Sequence, residues 1–482
     1  MPISKDNTEY ENNYTKYVES LYRNRIEPID DSLFSDNILP NQYTILDRVD
    51  FTKYDTYSID PEGCEDADDA FSIYKENEIL YLAIHIADPT HYINLNSKLW
   101  SNIVDKVVTQ YPSDRKPIHM IPYDIMERSS LMVNKEGDIK NAITILTTID
   151  ETTYKPGNIK LLFTKIKVKV ENGLSYKSAC KQIYSNDTLF IGLKISNALQ
   201  QIRGSKTIGI KLNEVSHSYI EYVHHIPYLY RNNDYEIQMK QMIAEFAIFA
   251  NSFVGEYLKL NLDGMGIFRT CEAKELLSNM YNLNGNELLN EIITNGIRAE
   301  YLSTNSSHDL VGMPEYSHFT SPIRRLSDCV CHYLLKYIYL KKKYNNNNNI
   351  VIPFSHTELN VFSNKCLEIT RSMKKIQYKD TKFRLIQTIF NMLLLRSQLV
   401  LSYYVTSYSG VFLNIIICRI NDHNIHLSYT LKMKDCKIKP NHKNIFCVNI
   451  TKVHPIQKFD EGSIPELDYD IKNKNNDSDH SH

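Results

Sequence analysis

The chain has little of what marks several common classes of protein. It contains one tryptophan, and its nine cysteines form no CxxC pair, so a disulfide framework is not expected and a reducing compartment fits best. Its apolar runs are far shorter than the ~20 residues of a membrane span. The N-terminus lacks a basic segment followed by an apolar one. We therefore expect a soluble, cytoplasmic or otherwise intracellular protein with no membrane association.

The chain also lacks an excess of positive charge. Lysine and arginine number 55 against 57 aspartates and glutamates, a formal net charge of −2. Bulk charge therefore gives no sign of nucleic-acid binding, and any such affinity must come from local patches. The 42% of hydrophobic residues in 482 is enough for a large core and excludes a disordered chain.

Two kinds of periodicity divide the sequence. Alternating or β-rich runs predict strands, whereas apolar residues at helical spacing without proline predict long helices. The predicted strands lie at 56–60, 79–86, 142–149, 159–170, 401–405, 412–420 and 445–453. The predicted helices lie at 234–260, 274–301, 322–342 and 356–396. The pattern indicates an α+β protein with a small β domain near its C-terminus.

The strongest chemical signal is a cluster of acidic residues. Residues 60–69 read Asp-Pro-Glu-Gly-Cys-Glu-Asp-Ala-Asp-Asp and hold six carboxylates, with Asp60 at the end of a predicted strand. Clustered carboxylates are typical ligands of Mg²⁺, which assists phosphodiester hydrolysis. The spacing does not match an EF-hand loop. A solvated acidic turn is the alternative, and composition alone does not separate the two.

This segment resembles the first motif of the ribonuclease II, ribonuclease R and exosome catalytic-subunit family, the RNB-domain exoribonucleases. In that family a strand leads into Asp-Pro, and Asp-x-Asp-Asp-Ala follows. The resemblance implies that Asp60, Asp66, Asp68 and Asp69 bind magnesium, as one or two ions for which Mn²⁺ can substitute. It also implies that Asp68 is a catalytic aspartate beside the reactive water or a second metal. By the same resemblance His85 and Asp88 are structural.

A second motif lies at 316–325, which reads Tyr-Ser-His-Phe-Thr-Ser-Pro-Ile-Arg-Arg. Hydroxyls and a proline before an apolar helix predict a helix start, with Arg324 and Arg325 in its first turn, where a phosphate is favoured. Surface arginines in salt bridges are the alternative. The run is similar to the family's His-Phe-Thr-Ser-Pro-Ile-Arg-Arg segment, which implies that Arg324 is catalytic and contacts the scissile phosphate. Arg325 either contacts RNA or anchors the helix.

The resemblance implies further contacts with RNA. Bases of a single strand stack on aromatic side chains, and phosphates need a basic groove. Tyr111, Tyr176 and Tyr219 match family positions for aromatic contacts, and Glu245 on the helix at 234–260 is expected to face the catalytic centre and hold the terminal nucleotide. Lysine-rich stretches at 155–169 and 365–384 either line a channel or face solvent.

The resemblance covers about residues 45–395 and then fades. We expect a short N-terminal extension at 1–45 without room for paired cold-shock domains, a catalytic domain at 46–396, a β domain at 397–460 and a disordered tail at 461–482. The resemblance implies that the catalytic domain has a mixed β-sheet core flanked by helices. The β domain is too degenerate to assign firmly to the S1 or OB type. The missing domains imply weaker binding or lower processivity, or a protein partner that supplies the missing surface. We expect a monomer.

Two functions from different classes follow. The first is a hydrolytic 3′→5′ exoribonuclease that degrades single-stranded RNA to 5′-mononucleotides. The second is a catalytically inactive protein of the same fold that binds RNA or acts as a scaffold. Retention of the four aspartates, Arg324 and Glu245 favours the enzyme, because an inactive site has no need for so costly a cluster of charges. A phosphodiesterase acting on DNA is a third reading, since a 2′-OH preference rests on the resemblance alone.

Overall fold

The protein is described from a computed structural model that covers most of the chain. The described residues are Lys16, Tyr22, Tyr43 and the ranges 46–113, 116–132, 138–204, 218–223, 226–283, 285–344, 350–395, 399–409, 412–432, 441–454 and 466–470. The predicted N-terminal extension therefore lies almost wholly outside the described residues.

The strands of the described part are β1 Val49–Asp50, β2 Thr56–Asp60, β3 Asp69–Glu76, β4 Ile79–Ala87, β5 Lys140–Ile149, β6 Pro156–Ile166, β7 Val168–Ser175, β8 Ser218–Val223, β9 Ile226–Arg231, β10 Met265–Thr270, β11 Glu300–Thr304, β12 Leu399–Ser409, β13 Phe412–Ile420, β14 His423–Lys432, β15 Asn441–His454 and β16 Glu466–Asp470. The helices are α1 Lys98–Lys106, α2 Tyr123–Ser129, α3 Tyr176–Gln182, α4 Asp187–Gly204, α5 Asp234–Asn261, α6 Lys274–Ser278, α7 Gly285–Thr294, α8 Leu326–Lys343 and α9 His356–Leu395. This architecture confirms the α+β prediction.

A seven-stranded sheet in the order β1-β6-β5-β4-β3-β2-β7 forms the centre of the molecule. Most neighbours are antiparallel, while β1 with β6 and β2 with β7 are parallel. The two ends of the acidic loop are fixed by this sheet, because Asp60 closes β2 and Asp69 opens β3. The sheet and α5 share one large core, in which Phe71 packs edge-on against Phe246.

Helix α5 holds the arginine motif close to the core through a glycine. A Cβ atom at Gly255 would lie 2.7 Å from the backbone nitrogen of Tyr316, so only glycine allows this approach. One turn earlier, Asn251 accepts a hydrogen bond from the Phe319 amide at 2.8 Å. The segment at 315–320 is thereby fixed to the helix.

A buried ion cluster joins α8 to the sheet. Asp88 accepts hydrogen bonds from Arg48 at 2.5 Å and from Lys336 at 2.7 Å, and all three side chains are buried. Although burial acts in the opposite direction, Lys336 and Arg48 hold the pKa of Asp88 well below its ordinary value. His85 is also buried, between the hydroxyls of Ser72 and Thr144. The predicted structural roles of His85 and Asp88 agree with these contacts.

Several predicted boundaries were right and others wrong. The helices expected at 234–260 and 356–396 are confirmed as α5 and α9. The single helix expected at 274–301 was wrong, because the chain forms α6, α7 and the start of β11 there.

The prediction of a disordered tail was wrong in part. Residues Glu466–Asp470, where apolar residues and acids alternate, add a strand to the edge of the sheet β14-β13-β12-β15-β16. That sheet matches the predicted C-terminal β region, and its S1 or OB type stays a prediction. Among the described residues, no helix is both long and apolar enough to cross a membrane.

The close approach at Gly255 gives a first prediction. Alanine favours a helix over glycine by about 1 kcal/mol, yet Gly255→Ala should lower the free energy of unfolding by about 1–3 kcal/mol because its methyl group meets backbone. Urea denaturation is the measurement, and Glu256→Ala on the exposed side of the same helix is the control, with an expected change within about 0.5 kcal/mol. A stabilised Gly255→Ala protein would show that the segment can move away.

The Asp88 cluster gives a second prediction. Asp88→Asn leaves two buried cations without a carboxylate and should cost about 3–5 kcal/mol at pH 7. Because the folded-state pKa is depressed, this stabilisation is complete above the ordinary value of 3.8 and is lost as the pH falls through the folded pKa. The difference in urea stability from the unaltered protein should therefore shrink below about pH 4. The exposed pair of Asp55 and Lys169 supplies the control, because Asp55→Asn should cost under about 1 kcal/mol. A difference for Asp88→Asn that stays constant with pH would contradict this account.

Candidate active site

One cavity collects both sequence motifs. It has a volume of about 620 Å³, and its walls come from the acidic loop, the arginine segment and one face of α5. The predicted residues that line it are Asp60, Asp66, Asp68, Asp69, Tyr111, Tyr176, Arg324 and Arg325. The acidic loop and the arginine motif are thus brought together, as the resemblance implies.

Asp68 is the point of contact between the two motifs. Its Oδ1 accepts a hydrogen bond from the Ile323 amide at 2.8 Å, and its Oδ2 accepts one from Nε of Arg324 at 3.0 Å. The carboxylate is buried, whereas 43% of the Arg324 side chain is exposed. Arg324 is therefore held at one edge by Asp68 and by the Ser321 hydroxyl, while the rest of its guanidinium group remains accessible from the cavity.

Burial raises the pKa of three of the four aspartates. The pKa of Asp69 rises to about 8, because burial and the charges of Asp60 and Asp68 add up. Burial raises the pKa of Asp68 to about 7 although Arg324 opposes the shift, and burial raises that of Asp60 to about 6. The ionised cluster is therefore short of positive charge at neutral pH, and a bound cation would stabilise it.

The acidic loop fits a hard divalent ion in its donor chemistry. Its four aspartates offer oxygen ligands only, and each carboxylate has several lone pairs. Within the described residues, no three histidine, cysteine, aspartate or glutamate side chains are grouped closely enough to enclose an ion by themselves. Mg²⁺ does not require such a cage, because it keeps several waters and binds through one or two carboxylates and a substrate phosphate.

Two predicted aromatic residues border the acidic loop. The Tyr111 hydroxyl donates a hydrogen bond to Oδ2 of Asp66 at 2.7 Å, and its ring is partly exposed. The loop carrying Tyr111 is anchored to α9, where Asp380 accepts a hydrogen bond from the Ser113 amide at 2.9 Å. Tyr176 opens α3 and lines the same cavity. Tyr219 belongs to β8, but its side chain lies outside the described residues.

The arginines do not occupy the first turn of a helix, which corrects the sequence prediction. Helix α8 begins at Leu326, and Arg325 holds the N-cap position. The backbone is extended here because it pairs with the segment at 107–109: the Thr109 amide donates to the Arg324 carbonyl at 3.0 Å, and the Leu326 amide donates to the Val107 carbonyl at 2.8 Å. The Ser321 hydroxyl binds Arg324 instead of capping the helix.

Both roles considered for Arg325 find support in its contacts. Its Nη2 donates to Asp328 at 2.8 Å, which anchors the start of α8. Its Nε is buried without a hydrogen-bond partner, and its side chain lines the cavity. Asp328 also accepts a hydrogen bond from the Ser321 amide, and His332 lies within hydrogen-bonding distance of the Phe319 carbonyl oxygen at 2.9 Å. Asp328 and His332 thus anchor the start of α8 to the segment that precedes it.

Glu245 does not face the cavity, and this expectation was wrong. Its carboxylate is buried against Arg203 of α4, which donates to Oε2 at 3.1 Å and also contacts Oε1. The face of α5 that borders the cavity is instead formed by Lys240, Ile243, Ala244, Ala247, Ile248 and Asn251. Helix α5 is apolar on several sides, so its sequence did not show which side faces the cavity.

Sequence reasoning missed two cavity residues. Lys240 places its ammonium group 5.5 Å from the centre of the Tyr176 ring. Its spacing from Ala244, Ala247 and Asn251 along α5 was the signal that could have identified it. His318, inside the arginine motif, lies 2.8 Å from the Tyr301 hydroxyl through Nδ1. Burial holds the pKa of His318 well below its ordinary value.

Comparison with known proteins agrees with this geometry. The family model of the RNB domain matches residues 48–341, and the chain belongs to this family. Ribonuclease R 2 of Lactococcus lactis is 24% identical over 337 residues, which cover 60% of this chain and 49% of the relative. Exoribonuclease 2 of Buchnera aphidicola is 29% identical over 342 residues, which cover 61% of this chain and 51% of the relative. The chain thus spans about half the length of these relatives.

Solved structures show the same fold. Mycoplasma genitalium RNase R in complex with ribose-methylated single-stranded RNA has a TM-score of 0.75 at 16% identity, over 96% of this chain and 78% of that chain. Yeast Ssd1, described as a pseudonuclease, has a TM-score of 0.64 at 17% identity, over 91% of this chain and 58% of Ssd1. At these identities the likeness supports the fold alone, and it includes both a nuclease and a pseudonuclease.

The contacts of Glu245 give a third prediction. Glu245→Gln removes one charge of a fully buried pair and should lower the free energy of unfolding by about 3–5 kcal/mol. Replacing both partners, as Glu245→Leu with Arg203→Met, should recover much of the loss, since neither charge is left buried alone. Chemical denaturation measures both, and Glu256→Gln on the exposed face of α5 is the control. Equal losses in the single and double variants would argue against a buried pair.

Proposed function

We propose that this chain is a hydrolytic exoribonuclease that degrades single-stranded RNA from its 3′ end to 5′-mononucleotides with the help of Mg²⁺. The observation that carries the proposal is the hydrogen bond between Arg324 and Asp68, which joins a cation for the phosphate to a carboxylate cluster for the metal in one cavity. The names of the matching relatives support the RNase class.

The chain's own residues suggest how a phosphodiester would be held. Arg324 is oriented by Asp68 and Ser321, which leaves Nη1 to donate to a phosphate oxygen. Asp60, Asp66, Asp68 and Asp69 would hold Mg²⁺ or Mn²⁺, as one or two ions. A bound divalent cation supplies polarisation of the phosphate and activation of water. Tyr111 and Tyr176 would provide surfaces for bases, and the same role is proposed for Tyr219.

The finer assignments belong to this proposal as well. Residues 46–396 would form the catalytic domain, and residues 397–460 the β domain. The chain would act as a monomer, with a protein partner supplying RNA-binding surface if its own grip is weak. Glu245 would support the site only through its contact with Arg203, since its carboxylate does not reach the cavity.

An inactive RNA-binding or scaffold protein is the second candidate. It is favoured by the likeness to Ssd1, a pseudonuclease with the same fold. It is disfavoured by the acidic loop itself, because burial raises the pKa values of Asp60, Asp68 and Asp69, and groups with such shifts are concentrated at functional sites.

The two candidates differ in a cleavage assay, which is the fourth prediction. With 5′-labelled oligoadenylate RNA and Mg²⁺, the protein should produce a ladder of shortening products, whereas EDTA or the matching DNA should give none. Asp68→Asn should slow shortening by about 100-fold or more, since it removes a charge that orients Arg324. Asp55→Asn, an exposed surface change, is the matched control and should shorten RNA at the normal rate.

A folding defect must be separated from a chemical one. The melting temperature and the RNA affinity of Asp68→Asn in EDTA serve this purpose, and both should change far less than the rate. RNA binding by the unaltered protein without shortening would support the inactive scaffold and reject the enzyme.

A further inference from the structure

Arg269 is a cation beside the cavity that the proposed chemistry does not use. It extends from β10 opposite Tyr301 of β11, and its guanidinium carbon lies 4.6 Å from the centre of the Tyr301 ring. Within the described part of the chain, no carboxylate forms an ion pair with it. The nearby acid, Glu300, already binds Arg298 at 3.2 Å and Arg371 of α9. In the described part of the chain the Arg269 guanidinium group therefore has no carboxylate within ion-pair distance, although the charge of Glu300 also acts on it.

A group of cations lies close to Arg269. Arg371 of α9 binds Glu300, and Glu300 pairs with Thr270, the residue that follows Arg269 on β10. Burial lowers its pKa, and repulsion from Arg325 contributes to the shift. Burial and then the charge of Arg269 lower the pKa of Lys374, which lies on α9 one turn beyond Arg371. Lys374 is nevertheless an exposed residue. The group consists of five cations and the two carboxylates that form ion pairs with some of them. Glu300 pairs with Arg298 and Arg371, and Asp328 pairs with Arg325. The remaining two cations are Arg269 and Lys374.

This group of cations begins at the wall of the catalytic cavity. The Arg269 amide donates to the carbonyl of Tyr316 at 2.9 Å, and Tyr316 lines the cavity. The Tyr301 ring that contacts Arg269 also places its hydroxyl 2.8 Å from His318, a second cavity residue. Arg325 lines the cavity and also belongs to the group of cations, and its buried Nε has no hydrogen-bond partner. A polyanion bound in the cavity would therefore find these cations next to it.

We propose that Arg269 and Lys374, together with Arg325, bind a backbone phosphate of the RNA strand, distinct from the phosphate held by Arg324. A guanidinium group can donate two parallel hydrogen bonds to two oxygens of one phosphate. The negative charge of that phosphate would compensate the charge of Arg269. The alternative is that solvent ions neutralise these residues. The inference rests on the proposed function for the identity of the ligand, and it adds a second point of attachment for the same strand.

The experiment measures how RNA affinity depends on salt. Fluorescence anisotropy of 5′-fluorescein oligoadenylate RNA, with EDTA to prevent cleavage, is recorded over a series of KCl concentrations. Each phosphate contact of a single strand contributes about 0.7 to the slope of log K against log salt. Arg269→Gln and Lys374→Gln should each reduce the slope by about that amount, while Arg269→Lys should retain most of it.

The control is Lys375→Gln, one residue along α9 and thus about 100° around its axis. Its slope should equal that of the unaltered protein. Because Lys374 is exposed on a helix, its substitution tests the inference even if Arg269→Gln fails to fold.

The possible outcomes separate this inference from the proposed function. Unchanged slopes in Arg269→Gln and Lys374→Gln, with RNA shortened normally, would overturn the second phosphate site alone. The same loss in Lys375→Gln as in Lys374→Gln would overturn it too, because it would indicate a diffuse effect of charge. Failure of the unaltered protein to bind RNA at all would overturn both.

Discussion

The whole site depends on the two hydrogen bonds that Asp68 accepts from the backbone of Ile323 and the guanidinium group of Arg324. Asp68 lies in the loop between two strands of the central sheet, whereas the arginine segment follows more than 250 residues later. A buried carboxylate is unfavourable without partners, and here both partners come from the distant segment. The same contact orients Arg324 and compensates the charge of Asp68, so each motif needs the other.

Other parts of the structure keep that contact in place. Asn251 and Gly255 hold the stretch before the arginines against α5, and extended pairing with residues 107–109 fixes the arginines themselves. Beyond them, Lys336 of α8 reaches Asp88 at the end of the same sheet that carries the acidic loop. The arginine segment is thus fixed on both sides, so the position of Arg324 is determined by packing and not by the loop alone.

How much the sequence predicted depends on the physical origin of each feature. The aspartates and Arg324 were predictable because unusual residue strings carried them, and α5 and α9 because long regular periodicity did. The start of α8 was not, since it is set by backbone pairing with a segment more than 200 residues away. Glu245 was misplaced because α5 is apolar on several sides, so its periodicity did not show which side Arg203 would contact. Arg269 was given no role from the sequence, and its lack of an ion pair in the described part of the chain emerges only from the folded contacts.

The charges in and beside the cavity are separated, and this separation supports an active role. On one side, burial raises the pKa values of Asp60, Asp68 and Asp69, and the charges of neighbouring aspartates add to each shift. On the other, burial lowers the pKa values of Arg269 and Lys374, and the charge of a neighbouring arginine adds to each shift. Folding alone would favour pairing these groups with one another. A ligand that brings cations to the aspartates and phosphates to Arg269 and Lys374 would stabilise the charges of both groups. An RNA strand with a divalent metal ion has that composition.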